Sequence, residues 1–93
     1  MKWLELIEIR ITGQDHDLIE SYLRHLIEQI IEENKQQIKI YHKLHLETDF
    51  SIHLVHDADD AGPDGSALGQ NIVSVLKEYG LVNHSIWVQM KTN

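Results

Sequence analysis

Along this chain the apolar residues recur every second position, then every third or fourth, then every second again. The periods change in the order strand, helix, strand, strand, helix, strand. From Trp3 to Thr12, Ile7, Ile9 and Ile11 take one parity, while Leu4, Leu6, Glu8 and Arg10 take the other. That spacing predicts a two-faced strand. Gly13-Gln14-Asp15 breaks it. Asp17 and Glu20 then have the spacing of a capping box, the Asp accepting from a helical amide while Glu20 reaches back. Ile19, Tyr22, Leu23, Leu26, Ile27, Ile30 and Ile31 follow at helical spacing, to an end near Asn34.

Gln37 to Glu47 alternates strictly. Ile38, Ile40, His42, Leu44 and Leu46 lie on one side, with Lys39, Tyr41, Lys43, His45 and Glu47 on the other. Phe50, Ile52, Leu54 and His56 then alternate with Ser51, His53 and Val55. Opposed residues in an antiparallel pair share a face, so even positions must oppose even positions. The connecting loop therefore has an odd number of residues, most simply Glu47-Thr48-Asp49. A second helix is expected from Asp64 or Ser66, with Leu68, Ile72, Val75, Leu76 and Tyr79 inward and Gly80 as its stop. Asn83 to Lys91 closes the pattern as a strand, with Ile86, Val88 and Met90 inside and Ser85, Trp87 and Gln89 outside.

Elements in this order predict a four-stranded antiparallel sheet with both helices on one side and strand order 4-1-3-2. In that pattern, over nearly its whole length, the chain resembles the ferredoxin-like α/β plait, and within it the dimeric α/β-barrel branch. The resemblance is one of pattern, without a family motif. It implies a single α+β domain over residues 1–93 with one bare sheet face. Members of that branch include small oxygenases, isomerase-like enzymes and many proteins without assigned activity, so no one chemistry is implied.

Composition narrows the field. With 93 residues, 42% of them hydrophobic, the chain supports one core. The absence of cysteine excludes disulfides, thiolate metal sites and a thiol nucleophile. Glu5, Glu8 and Arg10 interrupt the apolar opening, which speaks against a signal-peptide core, and no stretch approaches a spanning length. A cytoplasmic protein is expected. A formal charge of -7 repels phosphate backbones and anionic lipid, so neither nucleic acid nor membrane is an expected partner. Protonating all seven histidines would cancel that charge, and solubility should fall towards the pI of about 5.3.

The candidate chemistry lies mostly in histidines. His42/His45 and His53/His56 mimic metal spacing, but three residues along a strand place two rings on opposite faces. A better grouping crosses strands: His45 and His53 as proton carriers on the open face, with Glu8 as orienting partner. Such a set also fits an open zinc or iron site. The plainer reading is a polar sheet face, and no metal or cofactor is expected. His42 and His56 belong to the inner rim, where hydrogen bonds to backbone are expected. Asp57, Asp59, Asp60 and Asp64 invite a calcium reading, which fails because Ala61 and Leu68 fall at ligand positions. The run Gly62 to Ser66 has no lysine beside it and is no nucleotide-phosphate loop. Gly69 reads as a close-packing position in the helix. The base-stacking aromatics of an RNA-recognition sheet are missing from the first and third strands.

The open face also carries large apolar residues, Leu4, Leu6, Tyr41, Val55 and Trp87. Such a strip on an uncovered sheet calls for a partner, and a second copy about a two-fold axis supplies one. The expected function is a homodimeric binding or regulatory module holding a small ligand between its sheets or at the dimer edge. Arg10, Tyr41, Lys43 and Trp87 are the candidate ligand contacts. The alternatives are a small dimeric-barrel enzyme, with His53 or His45, Glu8 and Arg10 at work, and a purely structural assembly role.

Overall fold

The odd residues of the first strand form the floor of the core: Ile7, Ile9 and Ile11 are buried, while Glu8 and Arg10 on the other parity are exposed. In a computed structural model the described residues are 2–14, 16–34, 37–57 and 62–91, with the side chains of 30–34 excluded. The elements are β1 (Lys2–Ile11), α1 (His16–Asn34), β2 (Gln37–Lys43), β3 (Leu46–Asp57), α2 (Ala67–Leu76) and β4 (Gly80–Val88). All strand pairs are antiparallel and the sheet order is β2-β3-β1-β4, which is 4-1-3-2 read from the other edge. Ile19 and Leu23 of α1 and Ile72 and Leu76 of α2 join one core with Ile7, Ile9, Ile11, Ile38, Ile52 and Leu54. Both helices thus cover the face formed by odd positions of β1 and even positions of β3. No helix among the described residues is long and apolar enough to cross a membrane.

Four local expectations need correction. The helix α1 already begins at His16, so Asp17 lies inside its first turn instead of capping it. There it faces the positive end of the helix dipole, while Glu20 binds Arg24 one turn on at 2.7 Å rather than reaching back. The side chains of Ile30 and Ile31, expected inward, and the residues Asp59 and Asp60 of the acidic loop lie outside what is described.

The second correction is the β2–β3 hairpin. Ile38 opposes Leu54, Ile40 opposes Ile52 and His42 opposes Phe50, even against even as the pattern requires. The turn, however, falls at Leu44-His45, closed by Lys43 opposite Leu46. One step along β2 from His42 to Lys43 corresponds to the step from Phe50 to Leu46, so Glu47, Thr48 and Asp49 form a bulge within β3. Even-to-even parity therefore holds as far as His42 and Phe50 and is lost past the bulge, where Lys43 opposes Leu46. Leu44 and Leu46, expected inside, are consequently 77% and 43% exposed.

Third, Val75 faces outward and Val73 packs on the core in its place, while α2 ends at Leu76 and Gly80 opens β4. Fourth, β4 stops at Val88, which leaves Val88 and Met90 exposed instead of inward.

Candidate functional site

One charged residue is fully buried among the described residues, and it is Glu5. It stands on the buried parity of β1, between Trp3 and Ile7, with Leu54 and Ile86 as its strand neighbours. Burying a lone carboxylate is costly, so its oxygens must be satisfied. They are, by groups from three other segments. His56 Nε2 of β3 donates to Oε1 at 2.7 Å and His84 Nε2 of β4 donates to Oε2 at 2.8 Å. The Ser66 amide donates to Oε1 at 2.9 Å, and the Ser66 hydroxyl donates to the same oxygen. An ionised carboxylate has no hydrogen to give, so both imidazoles must carry theirs on Nε2.

Ser66 is also the N-cap of α2, its extended backbone (φ -82°, ψ 162°) leaving Oγ free to accept from the Gly69 amide at 3.0 Å. The cap therefore links the helix start to the carboxylate through one hydroxyl. Gly65, at φ 84°, makes the turn into that cap, and a side chain there would strike His84. Gly69 is buried against the Glu5 carboxylate itself, so its close-packing role holds, with a charged group as the neighbour. Burial acts to raise the Glu5 pKa. The donated bonds from the Ser66 hydroxyl and amide, then from His84 and His56, more than reverse that and hold it below the ordinary carboxylate value. The imidazoles reach the surface only slightly, with 12% and 19% of their side chains exposed. Trp3 stacks on His56 with ring centroids 4.0 Å apart, and its buried Nε1–H has no hydrogen-bond partner.

The cluster is a hydrogen-bonded hub and not a chelate. His56 pairs with Trp3 and His84 with Ile7, so the two imidazoles reach Glu5 diagonally from opposite sides. Each uses a different carboxylate oxygen. Among the described residues no group of three or more His, Cys, Asp or Glu converges as metal ligands would. His56 was expected to bond to backbone; it bonds to a carboxylate instead. His42 does contact backbone, its Nδ1 lying 3.3 Å from the Lys43 carbonyl oxygen.

On the opposite face the strand registers define rows of side chains. The first holds Val55, Leu4 and Trp87, the next Lys39, His53, Leu6 and Ser85, the third Tyr41, Ser51, Glu8 and Asn83. Asp49, Arg10 and Leu81 form the last, with Arg10 donating to Asp49 from Nη2 to Oδ2 at 3.1 Å and from Nε to Oδ1 at 3.2 Å. Arg10 holds the Asp49 carboxyl below its ordinary value, so its guanidinium is already engaged. Arg10 stands four residues along β1 from Leu6, the partner of His53, a separation of roughly 13 Å. The two residues share a face without touching.

His53 and Glu8 are diagonal neighbours across β1 and β3. The contacts seen are His53 Nε2 with Ser51 Oγ at 3.2 Å, Asn83 Nδ2 to Glu8 at 3.5 Å, and the Tyr41 ring 4.8 Å from that of His53. His45 does not join them, because it sits in the hairpin turn at φ 64°. Lys43 borders the same turn beside an open cavity of about 570 Å³, lined by Glu8, Arg10, Asp49, Ser51 and Asn83 and by the apolar Ile9, Phe50, Leu81 and Val82. Trp87 is 58% exposed, its Nε1 donating to Ser85 Oγ at 2.9 Å. No protein family, curated protein or solved structure matches the chain.

Proposed function

We propose that this chain is a homodimeric small-ligand-binding or regulatory module, a ferredoxin-like plait of the dimeric α/β-barrel kind that pairs through its open sheet face. The observation that carries the reading is the division of that face. Leu4, Leu6, Val55 and Trp87 cluster at one end, and Ser51, Glu8, Asn83, Asp49 and Arg10 occupy the other, with Leu81 exposed beside Arg10. An exposed apolar patch on a sheet with no helix over it favours a partner, and a partner seated there would roof the polar end. The space beside Arg10, Asp49 and Lys43 then becomes a lined chamber, suited to a small polar ligand. Regulation and assembly are roles that such a dimer serves equally.

The experiment is sedimentation of the unmodified protein and of Trp87→Asp at tens of micromolar. The unmodified chain should run as a dimer and the variant as a folded monomer with a lower Tm, because a carboxylate at that position enters the contact. A monomeric wild type sinks the reading. The enzyme alternative draws on His53, whose imidazole contacts the Tyr41 ring and Ser51, the latter a residue that lines the cavity.

A further inference from the structure

We propose that the Glu5 carboxylate is an acid-released latch that docks the first turn of α2 onto the sheet. A helix of ten residues is too short to persist alone, so α2 depends on what holds it down. Its second half is held by apolar burial, through Ile72 and Leu76. Its first half has Leu68 partly buried against the core and, beside it, a polar attachment. At the closest approach to β1 the helix presents Gly69, which offers no side chain to the core, and the contact there is the Glu5 carboxylate. The Ser66 amide and hydroxyl, at the helix start, both end on that carboxylate.

Protonation should undo this for a steric and chemical reason. A carboxylic acid has a hydrogen that must be donated, and each of the four groups bonded to Glu5 already points a donor at it, so taking up that hydrogen means giving up a donated bond. The Ser66 amide and the two Nε2–H groups are donors, and Ser66 Oγ already accepts from Gly69. The helix N-terminus also loses the negative charge that complements its dipole.

The ionisable groups around the latch come from each neighbouring element. His56 faces Glu5 from β3 and His84 from β4, while Asp57 lies next along β3 on the other parity. Lys2 lies at the start of β1, and Asp64 is exposed in the turn before Ser66. Residues Ala67–Leu76 carry no charge. Glu5 is thus the group whose acid titration changes the count of bonds at the helix start. Its folded pKa lies below its ordinary value. The ionised form therefore adds stability above the ordinary carboxylate range, and that contribution disappears as pH falls through the folded value.

Amide hydrogen exchange from pH 7 to pH 3, expressed as protection factors, tests the latch. The Gly69 and Gln70 amides, bonded to Ser66 Oγ and Ser66 O, should lose protection by up to about tenfold per pH unit as pH falls from the ordinary carboxylate value towards the folded Glu5 value, and level off below it. Amides of the β1–β3 ladder should keep theirs over the same range. Ser66→Ala should cost about tenfold in protection at pH 7, confined to that turn, and should move the acid release to higher pH. Glu5→Gln should show the turn released at every pH, with no acid step. If Glu5→Gln does not fold, Ser66→Ala decides the question. Loss of α2 protection in step with the sheet, or an unchanged acid release in Ser66→Ala, would overturn the proposal. The latch lies on the helix-covered face, so its failure would leave the dimer reading untouched.

Discussion

Gly69 sits where α2 crosses Glu5, and a Cβ added there would lie 2.7 Å from the carboxylate carbon. In an ordinary helix alanine is favoured over glycine by about 1 kcal/mol. Here the obstacle cannot swing aside, because four donated bonds fix the carboxylate. Gly69→Ala should therefore destabilise the fold by about 1–3 kcal/mol, as overpacking does, and denaturant unfolding at pH 7 checks it. An unchanged or raised midpoint would mean that the cluster yields. The hub left a mark in the sequence. Glu5 shares the parity of Ile7, Ile9 and Ile11, His56 that of Ile52 and Leu54, and His84 that of Ile86. Ionisable residues on the buried parity of three adjacent strands point to a shared partner. Reading Glu5 only as an interruption of an apolar run misses this. Parity says which side a residue faces, while the diagonal placement of His56 and His84 around Glu5 requires the register, which tertiary packing sets.

The strands were legible as elements because each buries one face, and period two survives wherever a face is buried. Strand order followed from connection rules. The hairpin between β2 and β3 was legible in parity alone. As far as the His42–Phe50 pair, a loop and a bulge of three residues leave the same residues facing inward, so the pattern of those positions does not distinguish them. Leu44 and Leu46 extend the alternation past the true turn, which carries no Gly, Asn or Asp to announce it. His45 takes the left-handed φ of 64°, a conformation that costs a residue with a Cβ about 1–2 kcal/mol. Glycine removes that cost and gives back about 0.5–1 kcal/mol of chain entropy on unfolding. His45→Gly should thus stabilise the protein by about 0.5–1 kcal/mol, read as a higher urea midpoint. A lower midpoint would mean that the imidazole makes contacts worth more than the strain.

For the molecule as a whole, the decisive quantity is whether the open face is large enough to hold a second copy. Four strands at about 4.8 Å, carrying four rows of open-face side chains about 6.6 Å apart, give a face of roughly 19 by 26 Å. Covered on both copies, that is about 1,000 Å² of projected area and more of accessible surface, the lower bound for a specific interface. The charge of -7 works against pairing, since two copies meet with like sign. Little of it lies on the face, where Lys2, Arg10, Lys39 and Lys43 slightly outnumber Glu8, Asp49 and Asp57. The repulsion therefore arises from charges outside the contact, which salt screens over about 10 Å at 0.1 M. Salt also strengthens burial of the Leu4, Leu6, Val55 and Trp87 patch when the anion is sulfate. The dimer Kd should consequently fall severalfold between low salt and about 0.5 M sodium chloride, and further in sodium sulfate at matched ionic strength. Sedimentation equilibrium across that series reads it directly. A Kd that rises with salt would mean that ion pairs hold the copies together, and the apolar end of the sheet would lose its place as the contact.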